Sequence, residues 1–127
     1  MEGTAAVTLR GIGQIAVRVH DLPAAVEFYR DVLGMRFLLE IPDSAFFDCG
    51  GIRIMLSRPE APEFDHPASI IYYRVDDIAD AHAALLARGV AFESDPHLIA
   101  RMPDHELWMA FFRDVSGNLL ALMSEVR

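Results

Sequence analysis

Cysteine is nearly missing from this chain. Cys49 is the only one in 127 residues, so no disulfide can form within the chain, and such a composition fits a reducing compartment. No apolar run approaches the roughly 20 residues that span a bilayer, and no charged-then-apolar leader opens the sequence. With no address, the default expectation is the cytoplasm, with no membrane partner. Basic blocks and helix-sized basic stripes are also missing. The formal net charge is −8, which disfavours nucleic acid as a partner, because phosphate binding needs clustered cations. The negative balance reads as solubility.

What is present is an ordinary globular composition, 53% hydrophobic and 24% charged, at a length that makes one domain with a real core. The chain is organised around one stretch, GQIAVRVHDLPAAVEFYRDVLGMRF, from Gly13 to Phe37. Residues 12–19 alternate as a strand. Ile15, Val17 and Val19 share an apolar face, and Gln14, Ala16 and Arg18 share a wetter one. Asp21 stands where a helix would be capped, with Pro23 in the first turn, where its missing N–H costs nothing. Val26, Tyr29 and Leu33 follow at helical spacing with Phe28 and Val32 alongside, and Gly34 supplies the left-handed stop. Three short strands are expected next, over 35–41, 45–49 and 52–57, with turns at Pro42-Asp43-Ser44 and Gly50-Gly51. The unit is β-α-β-β-β.

Residues 58–68 hold three prolines and little pattern, and read as a stiff linker. Then the unit restarts. Val19-His20-Asp21-Leu22 returns as Val75-Asp76-Asp77-Ile78, and Leu33-Gly34 with Phe37 returns as Arg88-Gly89 with Phe92. A repeat of this kind means two supersecondary units that bury a joint core. Residues 70–75 are the equivalent strand and 77–88 the equivalent helix, where Asp77 followed by Asp80 resembles a capping box. Strand candidates follow at 90–93, 98–102 and 106–113, and a last one at 119–123. The second unit is longer in its middle, where an extra strand would fit. The expected fold is therefore α+β: one domain over 1–127, with module one at about 12–57 and module two at about 69–124, their curved sheets enclosing a cleft.

The pieces VRVHDLPAAVEFYRDVLGMRF, RVDDIADAHAALLARGVAF and FFRDVSGNLLALM resemble the vicinal oxygen chelate superfamily. It includes glyoxalase I, extradiol dioxygenases, methylmalonyl-CoA epimerases, and fosfomycin and bleomycin resistance proteins. The resemblance covers residues 12–124 and speaks for the fold more than for one chemistry. It implies a divalent metal held from four symmetric strand positions. Here these map to Gln14, Met55, Ile70 and Ala121. One subtype of glyoxalase I does use Gln at the first, but a thioether and two aliphatic groups are not ligands for a hard cation. The expectation is no metal cofactor, with a divalent metal as the alternative.

Alternation from those four positions gives a cavity-facing set. It comprises Gln14, Ala16 and Arg18; Arg53, Met55 and Ser57; Ile70, Tyr72 and Arg74; and Leu119, Ala121 and Met123. Met109 and Phe111 join them on the long hairpin. Such a mostly apolar lining with a few polar groups suits a small molecule. Arg18, Arg53 and Arg74 would favour an anionic one, unless they sit in solvent or pair with acids. In glyoxalase I an Arg at the position of Arg18 contacts the glutathione part of the substrate, so the resemblance implies a binding role there. His97, His105 and Glu106 are the candidates for a relocated metal or acid–base site, although facing strands would put the two histidines on opposite faces. Cys49 has no cationic helix end beside it to make it a nucleophile.

Two functions stay open on these residues. One is a metal-independent small-molecule binder, like the drug-sequestering resistance proteins. The other is a diverged glyoxalase-like lyase or dioxygenase-like enzyme. The resemblance also implies a homodimer.

Overall fold

Each module builds its own four-stranded sheet. The structure, a computed structural model, describes residue 7 and residues 9–127. The arm expected over residues 1–11 lies partly outside the described residues. Sheet one has the order β1-β4-β3-β2 and sheet two the order β5-β8-β7-β6. Their strands are β1 (Gln14–Arg18), β2 (Arg36–Ile41), β3 (Ser44–Cys49) and β4 (Ile52–Ser57), then β5 (Ile71–Arg74), β6 (His97–Arg101), β7 (Glu106–Arg113) and β8 (Leu119–Val126). The first strand of each module runs parallel to the last, β1 to β4 and β5 to β8. The other pairs are antiparallel hairpins. The crossover from each first strand carries the helix, as a parallel pair requires.

Helix α1 (Leu22–Glu27) starts where the sequence places it. The Asp21 carboxylate accepts from the Ala24 N–H at 3.1 Å, and Pro23 occupies the first turn. The helix then widens into a π-helical turn, Phe28–Val32, which lets the adjacent Phe28 and Tyr29 both face inward as an edge-to-face pair. Gly34 ends it at φ +72°, and Gly89 at φ +88° ends the equivalent element. That element, α2 (Ile78–Ala87), is capped by Asp77, which accepts from the Asp80 N–H at 3.0 Å.

The alternation holds in both sheets. Val17, Val19, Ile54 and Leu56 are buried on the helix side of sheet one, and Leu120, Leu122 and Phe112 on that of sheet two. These side chains join Tyr29, Phe47 and Leu85 in one hydrophobic cluster spanning both modules. The opposite faces of the sheets are the candidate site.

Module two departs from expectation at residues 90–93. Phe92 makes only an isolated bridge, to Phe112. It is the counterpart of Phe37 pairing with Phe47, so the repeat holds there. In module one the chain continues along the sheet edge. In module two it leaves through Glu93-Ser94-Asp95-Pro96 and returns as β6. No strand fills the extra length. It goes into this detour and into a hairpin, β6–β7, that reaches further than β2–β3. The outer strands β2 and β6 each carry a bulge, between Phe37 and Leu39 and between Leu98 and Ala100.

Candidate site on the open faces of the two sheets

Strand register assembles the site from the backbone upward. On sheet one Met55 lies between Ala16 of β1 and Phe46 of β3. The Gln14 side chain reaches across it. Its Nε2 lies 3.7 Å from the Met55 sulfur, and its Oε1 accepts from Arg53 Nε at 2.8 Å. The Arg53 guanidinium sits 5.8 Å from the Phe46 ring centroid, a cation–π distance. So Gln14, Arg53, Met55 and Phe46 form one polar-edged half-site.

Sheet two repeats the geometry with different sizes. Ala121 lies between Tyr72 of β5 and Phe111 of β7. The two rings meet edge to face at 6.0 Å, and Ala121 is 0% exposed between them. Met123 and Met109 are the next pair along the same face, and His97 follows opposite Met109, its ring 6.4 Å from Phe111. Ile70 lies just before β5 and is exposed. This half-site is apolar and aromatic.

These positions do not fit a divalent cation. The one amide oxygen, on Gln14, already accepts from a guanidinium whose positive charge would repel a metal. Met55 offers a thioether, Ile70 a hydrocarbon, and Ala121 is roofed by two rings. Hard cations need several oxygen or imidazole donors. Among the described residues no group of three or more His, Cys, Asp or Glu is placed to hold a metal ion.

The relocated set is not brought together either. His97 faces the open side. Glu106 lies on the other face, where its carboxylate accepts from Trp108 Nε1 at 3.1 Å and from Arg101 at 3.2 Å. Those bonds, Trp108 first, hold its pKa below the usual carboxylate range. His105 sits in the turn, 2.7 Å from Asp104.

The three arginines separate as well. Arg18 lines a cavity of about 270 Å³ on sheet one with Met55 and Ser57. Its guanidinium is taken up by the linker, donating to the His66 carbonyl at 3.0 Å and lying 3.6 Å from Asp65. Asp65 is also 2.8 Å from His20, and that bond, ahead of Arg18, lowers its pKa. Arg53 keeps its place at the half-site. Arg74 shares its register with Met123 at the end of β5, is exposed, and lies where that strand meets a crevice between the modules.

Three lining residues were not read from the sequence. Phe46 could have been, since Ser44, Phe46 and Asp48 alternate opposite Ser57, Met55 and Arg53. Phe64 and His66 of the linker could not, because only folding lays the linker over β1.

A family model described as the Glyoxalase/Bleomycin resistance protein/Dioxygenase superfamily matches residues 11–122. The chain belongs to this superfamily. It is 38% identical over 71 residues to the metallothiol transferase FosB of Staphylococcus haemolyticus, a match covering 56% of this chain and 48% of that one. The chain thus spans about half the length of the FosB relatives it matches. Among solved structures it resembles the lactoylglutathione lyase of Agrobacterium tumefaciens, with TM-score 0.71 and 24% identity, over 91% of this chain and 94% of the other. A glyoxalase/bleomycin resistance protein/dioxygenase from Nocardioides gives TM-score 0.74 and 23% identity, over 96% and 87%. Likeness at that level of identity carries the two-module glyoxalase fold and no particular reaction. No helix of the described residues is long and apolar enough to cross a membrane.

Proposed function

We propose that this superfamily member is a metal-independent binder of a small organic molecule. The observation that carries this reading is the donor set: a guanidinium-bonded amide, a thioether, an isoleucine and a roofed alanine stand at the positions expected to hold a metal. The lining that remains is aromatic and aliphatic with one polar edge, the usual make-up of a small-molecule site. An anionic ligand would pair with Arg53, since Arg18 is already engaged by the linker.

Homodimerisation belongs to the same proposal. Tyr72 and Ile70 on sheet two, and Leu39 and Ile41 on β2, are exposed, and the two half-sites lie on separate sheets. A partner copy laid across these faces would cover them and complete a binding cleft. A cytoplasmic setting also belongs to it, consistent with the single free thiol.

The similarity to a metallothiol transferase favours a second reading, a diverged metal-dependent enzyme. Elemental analysis after incubation with Zn²⁺, Ni²⁺, Mn²⁺ and Fe²⁺ decides between them. Near-zero metal per chain supports the binder, and a ligand screen of small organic anions and neutral aromatics follows. One tightly held metal per chain overturns it. Light scattering of the eluted protein reports the dimer.

A further inference from the structure

Strand register lays out the open face of sheet one in rows, because cross-strand partners point to the same side. Gln14 of β1, Arg53 of β4 and Asp48 of β3 stand in one row, and Ala16, Met55 and Phe46 stand in the next. Rows two residues apart along a strand are separated by about 7 Å. The face therefore begins with charged and polar groups and continues as apolar surface.

Arg53 is exposed on this face. Its Nε is committed to the Gln14 carbonyl oxygen at 2.8 Å, and its guanidinium carbon lies 5.8 Å from the Phe46 ring centroid. Those two contacts hold the guanidinium beside the apolar row. Among the described residues its two terminal nitrogens donate to nothing, and no ion pair takes up the charge, although Asp48 is its neighbour across the strands. Arg18, at the other end of the same face, is in the opposite state. The linker matches it with the His66 carbonyl at 3.0 Å and with Asp65 at 3.6 Å. Positive charge is on offer at one end of the face only. Between the ends lies the cavity of about 270 Å³ under the linker, where Ala16, Met55 and Phe64 form apolar walls. A thioether and a ring suit a flat aromatic body.

We propose that this face binds an aryl monocarboxylate. Its carboxylate takes the end-on pair of N–H groups of Arg53, a planar fork matched to two oxygens. Its ring lies in the cavity against Met55 and Phe64. Gln14 is a positioning residue, since by accepting from Nε it turns the terminal nitrogens toward the ligand. This deepens the metal-independent binder reading and rests on it, because an amide oxygen held by a guanidinium does not serve a metal.

The test is calorimetric titration of the full chain with 3-phenylpropionate and with 3-phenylpropanamide, a neutral molecule of the same shape. The acid should bind at least about tenfold tighter than the amide, the scale of a hydrogen bond to a charged group. Arg53→Gln should bring the acid down to the level of the amide and leave the amide unchanged. Gln14→Glu keeps an acceptor for Nε but adds a negative charge, and should weaken the acid alone. Phe64→Ala should weaken both ligands alike. A general disturbance of the sheet moves both ligands together, so the ratio of the two affinities reads recognition of charge. Thermal melts confirm that each variant is folded, and if Arg53→Gln does not fold, Gln14→Glu makes the same comparison. An acid that does not bind, or binds no tighter than the amide, overturns the proposal. So does an acid preference that survives both polar substitutions, or a Phe64→Ala chain that binds both ligands as before. The two readings fail separately. One tightly held metal per chain overturns the binder, whereas a metal-free chain that takes the amide as tightly as the acid keeps the binder and sinks the carboxylate site.

Discussion

The Tyr29 hydroxyl donates to Asp114 Oδ2 at 2.7 Å, tying the first module's helix to the last turn of the second. Asp114 is almost fully buried and also accepts from the Ser116 N–H, the Asn118 N–H and Asn118 Nδ2. Asn118 carries the chain of bonds further, donating to the Arg18 carbonyl at 2.7 Å and accepting from the Ala68 N–H. The turn Asp114-Val115-Ser116-Gly117-Asn118 is thus a clasp joining β1, the linker and both modules. It explains why the DVSGN turn within the ending FFRDVSGNLLALM marks the fold.

Breaking this clasp should cost stability directly. Tyr29→Phe removes one donor to a buried charge, and we expect a loss of about 1.5–3 kcal/mol. Asp114→Ala strands several donors at once and should cost about 3 kcal/mol or more. Urea unfolding measures both. A Tyr29→Phe protein as stable as the parent would mean that the bond is not formed in solution.

Alkaline pH should weaken the protein through two tyrosines. Burial and then the charge of Asp114 raise the Tyr29 pKa well above its ordinary value, and burial first raises that of Tyr73. A raised folded-state value means that the unfolded chain releases its proton first. Stability is full below the unfolded value of about 10 and falls as pH rises above it. Each tyrosine adds a slope of up to about 1.4 kcal/mol per pH unit in that window. Unfolding free energies from pH 8 to 11 check this, and Tyr29→Phe should make the decline shallower.

Tyr73→Phe should run opposite to Tyr29→Phe. The Tyr73 hydroxyl has no partner among the described residues, so its removal lifts a desolvation cost of about 1–3 kcal/mol. We expect a protein at least as stable as the parent, with a higher midpoint in urea. A clear drop in the midpoint would show that the hydroxyl has a partner in solution.

The two open faces conserve volume by exchanging sizes. Met55 stands beside Ala16 in sheet one, and Ala121 stands beside Tyr72 in sheet two. Ala121→Met places a long side chain under the Tyr72–Phe111 pair and should cost about 1–3 kcal/mol by overpacking. The double variant Ala121→Met with Tyr72→Ala should recover part of that loss. A double-mutant cycle in urea measures the coupling. Simple additivity would mean that the rings do not roof Ala121.

Much of the fold was legible because local signals agreed with each other. Asp21, Pro23 and Gly34 bound the first helix, Asp77 and Gly89 the second, and alternation placed every core-facing residue of β1 and β4. The strand expected at 90–93 was not legible as an edge bridge. Val90, Ala91 and Phe92 suit a strand, but Pro96 and its polar neighbours draw the chain off the sheet. The site was half legible. Gln14, Arg53 and Met55 meet as alternation implies, because strand register is a local property. The engagement of Arg18 by Asp65 and His66 depends on where the linker falls. The crevice between the modules depends on residues 33–50 meeting residues 73–88, and no short-range pattern encodes that meeting.

Each open-face half-site stands on its own sheet and is braced by its own hairpin. The clasp at Asp114 holds the modules together through backbone groups of Arg18 and Ala68 and through Tyr29, and uses no open-face side chain. Substitutions on one face can therefore accumulate without compensation on the other. A duplicated unit of this design can keep a polar half and let its twin turn aromatic, as Gln14 and Ile70 show. The architecture leaves recognition free to diverge at half the molecule at a time.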